Sequence, residues 1–211
     1  MGPRPKGAGD AVTEGAGEPA EGAARPMRAD AVRNRARILE AAEAVFASEG
    51  IEAPVDAIAE KAGVGVGTLY RHFPTKEQLC EAILLERLGA LARDARALAG
   101  AEDAVGAFFG FLAHVVEQAA LKRDLLVAVM GAGLAFDVSS AGVKDELRAA
   151  VGELLRRAQE AGAVRPDVTA DMVMALVGAT CQAAAHDSCP SADLLTIVCD
   201  GLRTQPRRIA P

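Results

Sequence analysis

An all-α fold is the prediction for this chain of 211 residues, and three observations carry it. The composition is dominated by Ala, Leu, Glu and Arg, all strong helix formers. The aromatic residues that long β-sheets draw on are scarce, with no Trp, one Tyr and six Phe. Apolar residues recur at helical spacing along most of the chain, and neither an alternating strand nor an internal repeat is found. A hydrophobic share of 51% and a charged share of 25% suit one large domain or two small ones with a real core.

Residues 1–30 are rich in Gly, Ala, Pro, Glu and Arg without any hydrophobic period. Such a segment buries too little surface to offset its ordering entropy and is expected to be a disordered tail. Ile38, Leu39, Ala42, Val45 and Phe46 mark a first helix over about 31–49, with Gly50 as its stop. Pro54 opens a second, whose apolar face of Ile58, Ala59 and Ala62 ends at Gly63. A short third helix runs through Leu69, Tyr70 and Phe73 and is closed by Pro74. Thr75 and Gln78 stand at capping-box spacing, so a fourth helix starts at about Lys76. Leu79, Ile83, Leu88, Leu91 and Ala95 carry it to about Leu98, ahead of Gly100. Further helices are expected over about 102–119, 121–135, 143–161, 169–186 and 191–204, the last two capped by Thr169 and Ser191. The expectation is therefore about nine helices: a tail at 1–30, a three-helix head at 31–78 and a larger helical bundle at 79–211.

Several classes are disfavoured. No run approaches the ~18 unbroken apolar residues of a membrane span, and the first thirty residues lack the apolar core of a secretory signal. A cytoplasmic protein with no membrane partner is expected. Cys80, Cys181, Cys189 and Cys199 form no C-x-x-C pair and only three histidines accompany them, which argues against a metal site. The net charge of −6 does not by itself suggest a polyanion binder. Its distribution is uneven, however: residues 25–80 balance eight basic against eight acidic groups, and Arg25, Arg28, Arg33, Arg35 and Arg37 face only Asp30. That cluster reads equally as a solvated helix start and as an electrostatic arm for phosphate.

The chemistry is concentrated in residues 54–73. Gly63, Gly65, Gly67 and Thr68 superficially resemble a phosphate-cradling loop, but no Lys precedes the Thr and no strand precedes the glycines. A helix-turn-helix explains more positions. Ala59 lets two helices approach closely, Gly63 takes the left-handed turn, and Ile58, Val64, Leu69 and Phe73 point inward against Ile38, Val45 and Phe46. Thr68, Tyr70, Arg71 and His72 are then left on the outer side of a helix short enough to enter a major groove. Their hydroxyl, phenol, guanidinium and imidazole groups suit phosphates and base edges.

Three strings, Ile58-Ala59-Glu60-Lys61-Ala62-Gly63-Val64, Gly67-Thr68-Leu69-Tyr70-Arg71-His72-Phe73 and Lys76-Glu77-Gln78-Leu79, make residues 33–85 resemble the DNA-binding domain of the TetR (tetracycline-repressor) family of bacterial transcriptional regulators. The resemblance implies that Val66, Gly67, Tyr70 and Arg71 face base edges. Thr68, Tyr70, His72 and Lys76 would hold backbone phosphates, Gly65 would open the DNA-facing helix, and Arg33 would add a contact from the N-terminal arm. Pro54 and Gly65 stand where the family often has Thr and Ser, so two hydroxyl caps are missing.

Phe108, Phe109, Phe111, Leu112, His114, Met130 and Phe136 cluster in the middle of the chain. By themselves they read as an ordinary bundle core. The three closely spaced phenylalanines span more than one side of a helix, at about 100° per residue, and cannot all serve one interface. The resemblance implies a cavity among the middle helices, with these residues lining a site for a small-molecule effector and His114 as its polar hook. It also implies a homodimer paired through the last two helices, with Met172, Leu176, Thr180, Leu194, Leu195, Val198 and Leu202 at the interface. The function implied is a ligand-responsive repressor that binds a palindromic operator in double-stranded DNA, without cofactor. The alternative is a helical small-molecule-binding protein or enzyme whose head is only structural.

Overall fold

The computed structural model describes residues 21–121, 141–185 and 190–204. Among the described residues it contains eight helices and no strand: α1 (Glu21–Glu49), α2 (Val55–Ala62), α3 (Val66–His72), α4 (Lys76–Leu98), α5 (Ala104–Leu121), α6 (Ala141–Glu160), α7 (Ala170–Ala185) and α8 (Ser191–Leu202). The chain divides into two units, one ending at Arg33 and the other running from Asn34. In the first, Arg33 pairs with Asp30 one turn earlier, and Val32 is exposed.

Two boundaries differ from expectation. α1 begins at Glu21 rather than at about 31, so the last ten residues of the segment expected to be disordered are helical. Ala23, Ala24, Arg25, Met27 and Arg28 favour helix and Gly22 and Pro26 oppose it, while a stretch that continues an existing helix is spared the cost of nucleation. α8 is preceded by Pro190, not Ser191, as its N-cap, with no side-chain cap bond. Pro190 already holds the extended conformation a cap needs, and its carbonyl accepts the Asp193 N–H at 3.1 Å. Thr169 and Thr75 do cap, accepting the N–H groups of Met172 at 3.3 Å and Gln78 at 3.2 Å. The helix expected over about 121–135 falls almost wholly outside the described residues.

Two hydrophobic cores result. The first joins Ile38, Val45 and Phe46 of α1 to Ile58 of α2, Leu69 of α3 and Leu79 and Ile83 of α4. Phe46 and Ile58 are fully buried, each contributing about 1.5–3 kcal/mol by leaving water. The second joins Ala92 and Ala95 of α4 to Phe108, Phe111 and Leu112 of α5, Val151 and Leu154 of α6, Val173 and Val177 of α7 and Leu202 of α8. α4 therefore supplies buried residues to both. Polar ties accompany the packing. Arg87 Nε donates to Glu43 Oε1 at 2.7 Å, joining α4 to α1. Arg157 donates to the carbonyls of Ala99 and Ala101, fastening the α4–α5 connector to α6. The chain after α8 lies against the α6–α7 connector through Arg165 N–H to Leu202 O and Thr204 N–H to Ala163 O, both 3.0 Å.

Candidate nucleic-acid surface and internal cavity

Gly63 adopts φ +62° and ψ +39°, a conformation that costs residues with a Cβ. Its N–H bonds the Glu60 carbonyl and the N–H of Val64 bonds that of Ala59, both at 3.0 Å, which closes α2 and reverses the chain. Arg37 of α1 then donates from Nη2 to the Gly63 carbonyl at 3.1 Å, so α1 holds the turn from outside. A Cβ on Gly63 would come within 2.5 Å of that nitrogen. Pro54 and Gly65 are the N-caps of α2 and α3, and neither supplies a side-chain bond, as the missing hydroxyls lead one to expect.

With Leu69 and Phe73 buried in the first core, α3 turns its other side outward. Gly65, Val66, Gly67 and Arg71 are exposed and Thr68 and His72 half-buried. Tyr70 is 48% exposed, so its phenol is not a packing aromatic. Lys76 is less free than its expected role requires. Its Nζ donates to the Ala53 carbonyl at 2.9 Å and lies 5.8 Å from the Phe46 ring centre, which engages one of three N–H donors inside the head. Arg35 sits 5.4 Å over the Phe73 ring. At the start of α4, the Glu77 carboxyl is held below the usual carboxylate range by its own backbone N–H and by the Thr75 hydroxyl. A negative charge thus stands beside Lys76. Arg33 belongs to the first unit, where Asp30 is its partner.

Between α4, α5, α6 and α7 lies a cavity of about 430 Å³. Its walls are mostly apolar: Leu88 and Leu91 of α4, Phe111, Leu112 and Val115 of α5, Val151 of α6, and Val173, Met174 and Val177 of α7. Polar groups enter from Arg87, Asp94, His114, Gln118 and Cys181, with Asp94 Oδ2 4.0 Å from His114 Nε2. Burial pushes the Cys181 thiol up to about 11, a backbone hydrogen bond offsetting it in part.

Of the expected lining residues, Phe111, Leu112 and His114 face this cavity and Phe108 and Phe109 do not. Phe108 stands one turn before the lining stripe of α5 and is fully buried in the core. Phe109 lies edge-on to it at 5.2 Å, some two residue steps around the helix from Phe111, beneath the guanidinium of Arg203 at 4.2 Å. Met130 and Phe136 lie outside the described residues. The lining residues that sequence reasoning missed include Arg87 and Asp94 and the inward stripe Val173, Val177 and Cys181, whose spacing of four was a readable signal.

The residues expected at the pairing surface differ in exposure within the chain. Thr180 and Leu202 are buried within the subunit, the Thr180 hydroxyl donating to the Leu176 carbonyl at 2.9 Å, and Leu195 and Val198 pack on the second core. Leu194 is half-buried. The exposed apolar residues of α7 and α8 are Met172 (52%), Leu176 (41%) and Ile197 (69%), the last of which was not anticipated. Among the described residues no His, Cys, Asp and Glu cluster suits a metal, and no helix is long and apolar enough to cross a membrane.

Comparison with known proteins agrees with both halves of this arrangement. The family described as bacterial regulatory proteins, tetR family, matches residues 38–83, and the C-terminal domain of SbtR-like transcriptional regulators matches residues 103–204. The HTH-type transcriptional regulator UidR of Escherichia coli (strain K12) is 31% identical over 156 residues, 72% of this chain and 79% of that protein. A TetR transcription regulatory protein from Mycobacterium vanbaalenii is 42% identical, with a TM-score of 0.65 over 85% of this chain and 100% of that one. A TetR transcriptional regulator from Streptomyces coelicolor is 29% identical, with a TM-score of 0.61 over 82% and 99%. A head that buries one side of α3 and offers the other stands on a bundle shared with these regulators, and the chain belongs to the TetR family of transcriptional regulators.

Proposed function

We propose that this protein is a cytoplasmic repressor that binds a palindromic operator as a homodimer and is released from it by a small molecule held in the cavity. The observation that carries the DNA reading is the two-sidedness of α3, with Leu69 1% exposed and Tyr70 beside it 48% exposed. α3 enters a major groove with Val66, Gly67, Tyr70 and Arg71 towards base edges. Gly65, Thr68 and His72 lie along the backbone, and Lys76 reaches phosphate with the donors that Ala53 leaves it. Gly67 supports this reading by its cost. A glycine inside a helix is unfavourable by about 0.5–1 kcal/mol relative to Ala, yet a Cβ there would meet nothing within 4 Å. The fold does not need the glycine; a partner surface approaching closely does.

Met172, Leu176 and Ile197 are the apolar residues through which α7 and α8 meet their two-fold mates, with Leu194 at the edge of that surface. Such a dimer sets its two α3 helices one or a few DNA turns apart, ~34–36 Å per turn. The test is fluorescence anisotropy of the full chain on DNA upstream of its own gene. Tyr70→Ala and Arg71→Ala are expected to weaken binding ~10–100-fold, the range for losing a base-edge contact. Unchanged affinity in both overturns the assignment. Deleting the gene should raise a reporter driven by the bound promoter; a fall would make the protein an activator.

A further inference from the structure

Arg87 stands where the two halves of α4 meet. The α4 residues buried in the first core end at Ile83 and those buried in the second begin at Ala92, and Arg87 lies between them. Its side chain, 20% exposed, lines the cavity and at the same time bonds Glu43 of α1 through Nε at 2.7 Å. Leu84, one turn earlier, likewise lines the cavity while packing on the first core. Seven residues on, ~10.5 Å along the helix at 1.5 Å per residue, Asp94 lines the same cavity beside His114. Leu88 and Leu91 stand between the two charges on α4, and Phe111 and Val177 add to the apolar lining.

The cavity thus offers a guanidinium and, about two turns along α4, a carboxylate, on a mostly apolar wall that His114, Gln118 and Cys181 also enter. A guanidinium presents five donors in a rigid fork that matches a carboxylate bidentately, and the bond to Glu43 engages only Nε. We propose that the effector is an apolar monocarboxylate lying along α4, and that its carboxylate competes with Glu43 for Arg87. Asp94 repels a second anion at the far end. Occupation draws the guanidinium off Glu43 and breaks this ion pair between α4 and α1, so Arg87 couples the cavity to the head. An effector shifts an equilibrium only through such a differential contact. This rests on reading the cavity as the effector site of a DNA-binding regulator.

Three probes of equal length separate the contributions: decanoate, 1-decanol and the dicarboxylate decanedioate, each titrated calorimetrically into the full chain without DNA. Decanoate is expected to bind at least ~10-fold more tightly than either of the others, given the strength of charge-assisted bidentate bonds. Arg87→Gln should erase the preference for decanoate over 1-decanol, and Arg87→Lys should restore part of it. Glu43→Gln, which leaves the cavity untouched, should tighten decanoate by up to ~5-fold, the scale of a partly exposed ion pair, without changing 1-decanol. Equal affinity for decanoate and 1-decanol, no binding of either, or a Glu43→Gln variant that binds decanoate no better than the parent overturns the proposal. Anisotropy on the upstream DNA is a separate arm. Decanoate should release the parent from DNA and should affect Glu43→Gln less, the tie being already cut; an equal effect on both overturns the coupling. Failure of the unliganded parent to bind DNA counts against the repressor reading, while the calorimetric affinities still decide the chemistry of the cavity.

Discussion

Gly63 and Arg37 show how much of the head depends on single residues. The turn needs a left-handed residue, and the guanidinium of Arg37 occupies the space a methyl group would take. The end of an arginine side chain moves readily, so the main penalty of Gly63→Ala is backbone strain, ~1–2 kcal/mol, with the bond from Arg37 to the Gly63 carbonyl lost as well. Urea denaturation should show that loss, and DNA affinity should fall because the angle between α2 and α3 changes. Parent-like stability would mean that the turn is not strained. Cys181 gives a second prediction. An unfolded thiol titrates near 9.0 and this one near 11. The protonated thiol therefore favours the folded state, and its contribution is full below about pH 9 and lost as pH rises towards 11. Unfolding measured at about pH 8 and again at about pH 10.5 should show a steeper loss in the parent than in Cys181→Ala. Parallel losses would refute a buried thiol.

At the scale of the element, α3 carries two opposed demands. Its buried side is held by Leu69 and its exposed side includes a glycine that weakens the helix. Gly67→Ala should raise stability by about 0.5–1 kcal/mol while reducing DNA affinity, because the added methyl group would stand on the surface proposed to meet DNA. Stability is read by thermal unfolding and affinity by anisotropy; a variant that gains stability and binds DNA equally well would remove Gly67 from the interface. α4 is divided differently, along its length. Its first two turns belong to the head core and its last two to the bundle core, with Thr75 capping its start. The boundaries of α2, α3 and α4 were readable from Pro54, Gly63, Pro74 and Thr75, since stop and start signals act within a few residues. The start of α1 was not, because no apolar period marks residues 21–30, which continue a helix already nucleated further on.

For the whole molecule, the exposed Ile197 and Met172 lie outside both cores, and in the proposed dimer they pack between copies. Ile197→Glu should give a monomer by sedimentation at concentrations where the parent is a dimer. Its operator affinity should fall ~10²-fold or more as the second head loses its tether. A dimeric Ile197→Glu variant would place the interface elsewhere. α7 explains why this surface and the cavity are hard to tell apart in the sequence. It is apolar on two sides, with Met172 and Leu176 outward and Val173, Val177 and Cys181 inward.

Which residues become helix, where α2 gives way to α3, and that Leu69 and Tyr70 face opposite ways all follow from neighbours within about four positions, so the linear order of residues was enough to read them. The cavity is another matter. Its walls draw on residues from Leu84 to Cys181 in four helices, and packing alone chooses which apolar stripe of α7 turns in, sends Phe109 under Arg203 and sets Arg87 between a cavity and Glu43. A stripe such as Val173, Val177 and Cys181 shows in the local spacing, but which distant stripes meet does not, because that depends on how whole helices are placed.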